Sequence, residues 1–155
     1  MSRRDEIKLS EEEQRELTES ERVVIVSSLG RGGWPHSMAL WYVPRDGEVW
    51  IYTYAKSQKV RNLERDPRAT LLIETGHEYA ELRGVMIEAV AEIHHDLETV
   101  LELAKALTLR YSEGVSSIEG DAAEALRRQA AKRVAVRFEP KRVASWDHSK
   151  LGGRY

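Results

Sequence analysis

The segment from Tyr52 to Arg68 holds the chain's densest set of side chains able to bind an anion. Ser57 stands where a polar turn passes into a short basic helix. Its hydroxyl can cap that helix while the first free backbone N–H groups point outward. Lys56 and Lys59 add full charges beside the positive end of the helix dipole. Across the segment Lys56, Lys59, Arg61, Arg65 and Arg68 stand against Glu64 and Asp66, a local net of +3 in a chain of formal net charge −2. Phosphate is the natural guest of such a corner. At helical spacing Lys59 and Asn62 share a face, while Arg61 turns aside. A solvated helix with a good cap has the same composition, so spacing alone does not choose between the two.

Other sites are less specific. Trp146, Asp147, His148, Lys150 and Arg154 concentrate functional side chains on a glycine-containing C-terminal tail. Tails of this kind usually fray, yet Trp146 and His148 face the same way if the preceding strand continues. Asp147-His148-Ser149 is not a catalytic triad, because adjacent residues do not line up as nucleophile, base and orienter. His94 and His95 point to opposite faces of a strand end, and His36 and His77 have no ligand-spaced companion, so no metal site is expected. Gly30-Arg31-Gly32-Gly33 lacks the ending of a phosphate-binding loop and reads as a turn. Trp34, Trp41 and Trp50 fit a core or interface, although Trp41 and Trp50 can also wall a ring pocket.

The elements that position these residues follow from local pattern. The first 20 residues form a helical arm, with Ser10 and Glu13 as a capping box opening a helix to about Thr18. Val23 to Leu29 and Trp34 to Val43 read as a hairpin, Pro44 to Gly47 as a turn, and Val49 to Tyr54 as a third strand. Ala55 to Arg65 is a short helix ended by Asp66-Pro67, and Ala69 to Thr75 is a strand stopped by Gly76. Tyr79 to Ile93 reads as one long strand, with Gly84 marking a bulge or a close backbone approach. Asp96 caps a helix to about Tyr111, Ser112 to Gly120 is a surface loop, and Asp121 caps a helix ending near Lys132. Val134 to Phe138 and Val143 to Trp146 close the chain as two strands. Consecutive strands joined by tight turns predict a mainly β (α+β) fold, an antiparallel barrel with peripheral helices.

A length of 155 residues is one domain's worth, and 41% hydrophobic with 32% charged residues describes a soluble globular chain. Balanced charge argues against a nucleic-acid-binding domain. The absence of cysteine excludes disulfides, thiolate metal sites and cysteine nucleophiles. No signal peptide or membrane span is legible, so a cytoplasmic protein with no membrane partner is expected.

The order of residues in the basic segment resembles the cofactor-phosphate signature of the pyridoxamine 5′-phosphate oxidase-like split β-barrel family, whose fold is the FMN-binding split barrel. Tyr52 and Thr53 match its strand end, Ser57 its phosphate-capping serine and Lys59 its phosphate-gripping lysine. Gln58 departs from an arginine. Asn62-Leu63 and Asp66-Pro67-Arg68 are similar to the family's helix end and re-entry into a strand, and the order of elements agrees from about Ser20 to Glu92. Met38 and Gly84 stand where flavin-dependent oxidases of the family carry an arginine and a glutamine. Arg83-Gly84-Val85 and Arg61-Asn62-Leu63 are more similar to the actinobacterial branch that uses the deazaflavin coenzyme F-420. The resemblance implies a homodimer that transfers a hydride between that coenzyme and a small unsaturated or conjugated substrate, with FMN as the alternative cofactor. A non-catalytic flavin-, deazaflavin- or haem-binding protein is the other alternative. The implied cofactor-binding residues are Tyr52, Thr53, Lys56, Ser57, Gln58, Lys59, Arg61 and Asn62; no catalytic side chain is implied, because the chemistry resides in the cofactor.

Overall fold

Alternation of buried and more open positions in Val24–Leu29, Glu48–Tyr54 and Arg68–Thr75 sets the two faces of the sheet. In the computed structural model, which describes residues 2–153, two short N-terminal helices, α1 (Arg3–Glu6) and α2 (Glu11–Ser20), precede the first strand. The strands are β1 (Val24–Leu29), β2 (Pro35–Leu40), β3 (Val43–Arg45), β4 (Glu48–Tyr54), β5 (Arg68–Thr75), β6 (Arg83–His94) and β7 (Arg133–Asp147). Helix α3 (Gln58–Arg65) links β4 to β5, and α4 (Leu97–Tyr111) with α5 (Gly120–Ala130) links β6 to β7. All strand pairs are antiparallel, in the order β2-β1-β5-β6-β7-β4-β3, giving a split β-barrel.

The concave face holds one core in which Val24, Val26, Val49, Ile51, Leu71, Ile73, Val134, Val136 and Phe138 converge. Leu9 and Leu17 from the N-terminal arm and Val60 and Leu63 from α3 complete it. Tyr42, between the edge strands β2 and β3, is fully buried there and its hydroxyl donates to the Thr18 carbonyl at 2.6 Å, tying α2 to the seam. A second core lies on the outer face of β3, β4 and β7, where Val43 and Ala135 meet Val100 and Leu103 of α4 and Ala130 of α5. Trp50 and Tyr52 pack against this cluster.

Several boundaries differ from the sequence reading. Trp34 to Val43 is not one strand: the chain breaks at Trp41-Tyr42, and Val43-Pro44-Arg45 pairs with β4. The turn is therefore Asp46-Gly47 alone, both at positive φ (52° and 77°), the backbone that a two-residue hairpin requires. Tyr79–Glu81 is a 3-10 turn, and the long strand starts at Arg83. Asp121 is not the cap of α5, because Glu119 holds that position and makes no side-chain cap bond. Asp121 lies in the first turn, where its charge faces the helix dipole.

The two final strands are one. β7 runs through Pro140 because a bulge sits there: Glu88 pairs with Arg142 and Ala89 with Pro140, leaving Lys141 as the extra residue. A bulge is where a residue without a ladder N–H is tolerated, and it bends the strand. Before the bulge β7 pairs with β4 and β6; after it, with β6 alone.

The C-terminal tail is anchored as far as it is described. The Asp147 amide donates to the Ile7 carbonyl at 2.7 Å, the His148 amide to Leu82 at 3.0 Å, and Lys150 reaches Glu13 at 2.8 Å. Leu151 is buried. Arg154 lies outside the described residues. Trp146 pairs with Gly84 in the ladder, and a Cβ at residue 84 would run into its indole at Cζ2, Cε2 and Cη2. Gly84 is thus the close approach, and no bulge occurs at that residue. Gly84→Ala is expected to cost about 1–3 kcal/mol by overpacking, read by denaturant unfolding, with Trp146→Ala in the same chain removing most of that loss.

Candidate functional site

α3 begins where β4 runs out of ladder partners. Tyr54 pairs with Arg133, the first residue of β7, and the Ser57 amide closes a turn onto the Tyr54 carbonyl at 3.1 Å. Ser57 then takes the extended N-cap backbone (φ −70°, ψ 155°). Val60 and Leu63, buried in the concave core, fix the helix against the sheet. This anchoring decides where Lys59 can go. Its side chain is only 8% exposed, and Nζ donates to Thr53 Oγ1 at 3.0 Å.

No carboxylate pairs with Lys59 among the described residues, whereas nine other ion pairs are formed. A buried ammonium with one neutral partner retains N–H donors and uncompensated charge. Burial, and then the charge of Arg133, push the pKa of Lys59 below the ordinary lysine value. The Ser57 hydroxyl does not cap the helix as its position in the sequence suggests: it makes no bond to the first-turn amides, and Oγ is shielded from water with no partner. The first-turn amides of an α-helix have no acceptor within the helix, so they and the hydroxyl are open together.

The remaining implied residues separate into two groups. Thr53 points inward to Lys59, whereas its neighbour Tyr52 points outward beneath α4, so the two do not share a surface. Asn62 is completely buried: it donates to Ser28 Oγ at 3.1 Å and accepts from Gln58 Nε2 at 2.8 Å and from Arg65 at 3.3 Å. It pins α3 to β1. Gln58 folds back along its own helix to make that bond. Arg65 also donates to the Leu29 carbonyl and Arg68 pairs with Asp66, which leaves Lys56, Lys59 and Arg61 as the cations of the segment without an acidic or carbonyl partner among the described residues.

Trp41 and Trp50 are engaged apart from one another. Trp41 stacks on Tyr111 at 4.4 Å, and Trp50 lies against His94 at 5.3 Å. Among the described residues no group of three or more acidic, histidine or cysteine side chains gathers as a metal site. The residue that sequence reasoning missed is Arg133. It is remote in sequence, and only the β4–β7 pairing brings it beside Tyr54 and close enough to Lys59 to disturb its proton. The adjacent basic pair Lys132-Arg133 at a strand start is its sole local signal.

The fold defines a class. The sequence pattern of the pyridoxamine 5′-phosphate oxidase family matches residues 10–147, and the chain belongs to that family. A conserved hypothetical protein from Mycobacterium tuberculosis is 38% identical, with a TM-score of 0.88 over 100% of this chain and 95% of that one. An F-420 reductase is 18% identical, with a TM-score of 0.65 over 84% of this chain and 94% of its own. The haem storage protein of Vibrio cholerae is 15% identical, with a TM-score of 0.67 over 90% and 97%. The last two share the fold. No curated protein sequence matches. Asn62→Ala is expected to destabilise the fold by about 1–3 kcal/mol, since the partners of a buried amide are left unpaired; chemical denaturation measures the loss.

Proposed function

We propose that the chain is an oxidoreductase that binds the deazaflavin coenzyme F-420 and serves hydride transfer to a small unsaturated or conjugated organic substrate. One observation carries the reading: the buried, carboxylate-free ammonium of Lys59 lies in the same helix start as the shielded, unpartnered hydroxyl of Ser57. Both groups fit a phosphate, which accepts from each and neutralises the charge. Ser57, Lys59 and the first-turn amides of α3 would hold the phosphate, with Lys56 and Arg61 adding charge at the exposed side. The coenzyme supplies the hydride chemistry when bound. The chain orients it and provides the local positive field, and no side chain is required as nucleophile or base.

FMN is the second reading, since its phosphate would use the same two side chains. Gly84 and its cover speak against it: the place where the oxidases carry a glutamine is occupied by the Trp146 indole, and Met38 stands on the exposed edge strand in place of an arginine. A parallel titration with F-420, FMN and haem separates these readings. Quenching of deazaflavin fluorescence by a colourless protein supports the first, and tight binding without turnover across a panel of acceptors supports a carrier.

The chain is also proposed to act as a homodimer. Trp34 is 82% exposed beside the open strand β2, and Met38 and Leu29 are exposed on the same hairpin. A cleft of about 460 Å3 on this part of the sheet is lined by Leu29, Pro35, Thr70 and Val90. A second copy covering it would supply the second wall that a large ring needs, because the concave core is filled by side chains. Sedimentation at micromolar concentration is expected to give two chains per particle, and Trp34→Glu to shift it toward one.

Lys59→Ala is expected to weaken coenzyme binding by about 1.5–3 kcal/mol, the range for a charge-assisted hydrogen bond. Without ligand the same variant should be no less stable, because an uncompensated buried charge is removed. The pH dependence follows from the lowered pKa of Lys59. Below that value the folded chain holds the ammonium and binds the anion; as pH rises through it, toward the ordinary 10.5, the proton and the affinity are lost together. The free protein gains stability over the same window, since the unfolded chain keeps its proton longer. Unchanged affinity in Lys59→Ala would overturn the phosphate assignment.

A further inference from the structure

A second set of cations lies where β4, β7 and α5 meet. A cleft of about 480 Å3 there is lined by Tyr54, Ala125, Arg128, Gln129, Lys132 and Arg133, and none of these is acidic. The Ala55 amide donates to the Lys132 carbonyl at 3.1 Å, so the cleft borders the turn that leads into Ser57.

Arg133 is built into this cleft. Its guanidinium lies 3.9 Å from the centre of the Tyr54 ring and 4.8 Å from that of Tyr52. It makes no hydrogen bond or ion pair among the described residues, and its Nε is shielded from water without an acceptor. The Tyr52 hydroxyl, beside the same guanidinium, is also shielded and unpartnered. Lys132 likewise has no ion pair among the described residues. Arg128 pairs with Glu124 at 2.8 Å, but both side chains are about two-thirds exposed (66% and 70%), so a ligand can displace that contact readily.

Cations near the end of α5 complement the negative end of its dipole, which gives Arg127 and Arg128 a structural purpose. Arg133 is different. It stands past the helix on β7, where two aromatic rings hold its plane and leave its donor fork without an acceptor. A planar fork fixed in orientation and flanked by an ammonium suits carboxylates, and the cleft has room for more than one.

We propose that this cleft is a second oxyanion site, for a ligand that carries two or more carboxylates. The source is either a free organic polyacid or the acidic tail of a coenzyme whose phosphate lies at α3. Only the second source rests on the reading of the α3 corner.

Calorimetric titration tests the site with citrate as the free polyacid, and with F-420 carrying or lacking its glutamates, against the wild type, Arg128→Gln/Lys132→Gln, Arg133→Lys and Lys59→Ala. Citrate or the tail-bearing coenzyme is expected to bind the double variant about tenfold more weakly, a difference of about 1.4 kcal/mol. Both altered residues are exposed, so the thermal midpoint should fall only slightly, by the small dipole and Glu124 contacts of Arg128. Arg133→Lys keeps the charge and loses the fork, and should weaken the same ligand. If the tail is the ligand, the tail-less coenzyme is insensitive to the double variant; if a free acid is, citrate affinity survives Lys59→Ala. Equal binding of citrate and of tail-bearing coenzyme to the wild type and the double variant, or binding of neither in the wild type, overturns the proposal. A coenzyme that fails to bind at all, with citrate still sensitive to Arg128 and Lys132, overturns the α3 reading and leaves this one standing.

Discussion

The ammonium of Lys59 is confined where water is scarce and no carboxylate among the described residues answers it, and the organisation of the corner follows from that confinement. Confinement comes from α3, which is held on its inner side by Val60 and Leu63 in the core and by Asn62 on Ser28. With those contacts made, residue 59 is largely shut off from solvent, and Thr53 on the inward face of β4 is its hydrogen-bond partner. A folded chain tolerates such a charge at a cost in desolvation. An anion that entered with its own charge would offset that cost, and on the proposed reading the unpartnered Ser57 hydroxyl at the same helix start would share in holding it.

The long strand β7 joins two distant ends of the barrel. Its first residue, Arg133, meets β4 near the α3 corner, and its far end carries Trp146 over Gly84 of β6. The bulge at Pro140 lets one strand serve both places, pairing with two neighbours before the bend and with one after it. The same bend frees the last turn to be clamped between the N-terminal arm and the loop before β6, through Ile7, Glu13 and Leu82. Side chains that look like a frayed functional tail in the sequence are therefore parts of a clasp. His148 illustrates this, since Nδ1 lies 3.0 Å from the Tyr79 carbonyl and its ring packs on Tyr79 at 4.6 Å.

Local chemistry made much of this fold legible. Ser10 and Glu13 form the reciprocal capping box that their spacing implies, and Asp96 accepts from the Thr99 amide at 3.0 Å at the start of α4. Strand formers bounded by turn residues located β1, β4 and β5. Misreadings fell where a partner outvoted local pattern. Trp41-Tyr42 reads as strand, but burial of Tyr42 against α2 and stacking of Trp41 on Tyr111 break the ladder. Pro140 reads as a break, yet the β6 register absorbs it in a bulge. At the site, the basic helix start was legible from Ser57, Lys59 and their neighbours, whereas the engagement of Asn62, Arg65 and Arg68 in internal bonds was not.

By itself the sequence determined the alternation that makes a curved antiparallel sheet, the caps at Ser10 and Asp96, and a cationic helix start with a hydroxyl in front of it, because each depends on residues within a few positions of one another. Tertiary structure decided which cations are left free, that Thr53 and Tyr52 serve opposite faces, and that Arg133 stands beside the corner. Those outcomes depend on strand register and on burial, and both are set by pairings across 80 residues of chain, such as that of Tyr54 with Arg133, which no local pattern encodes.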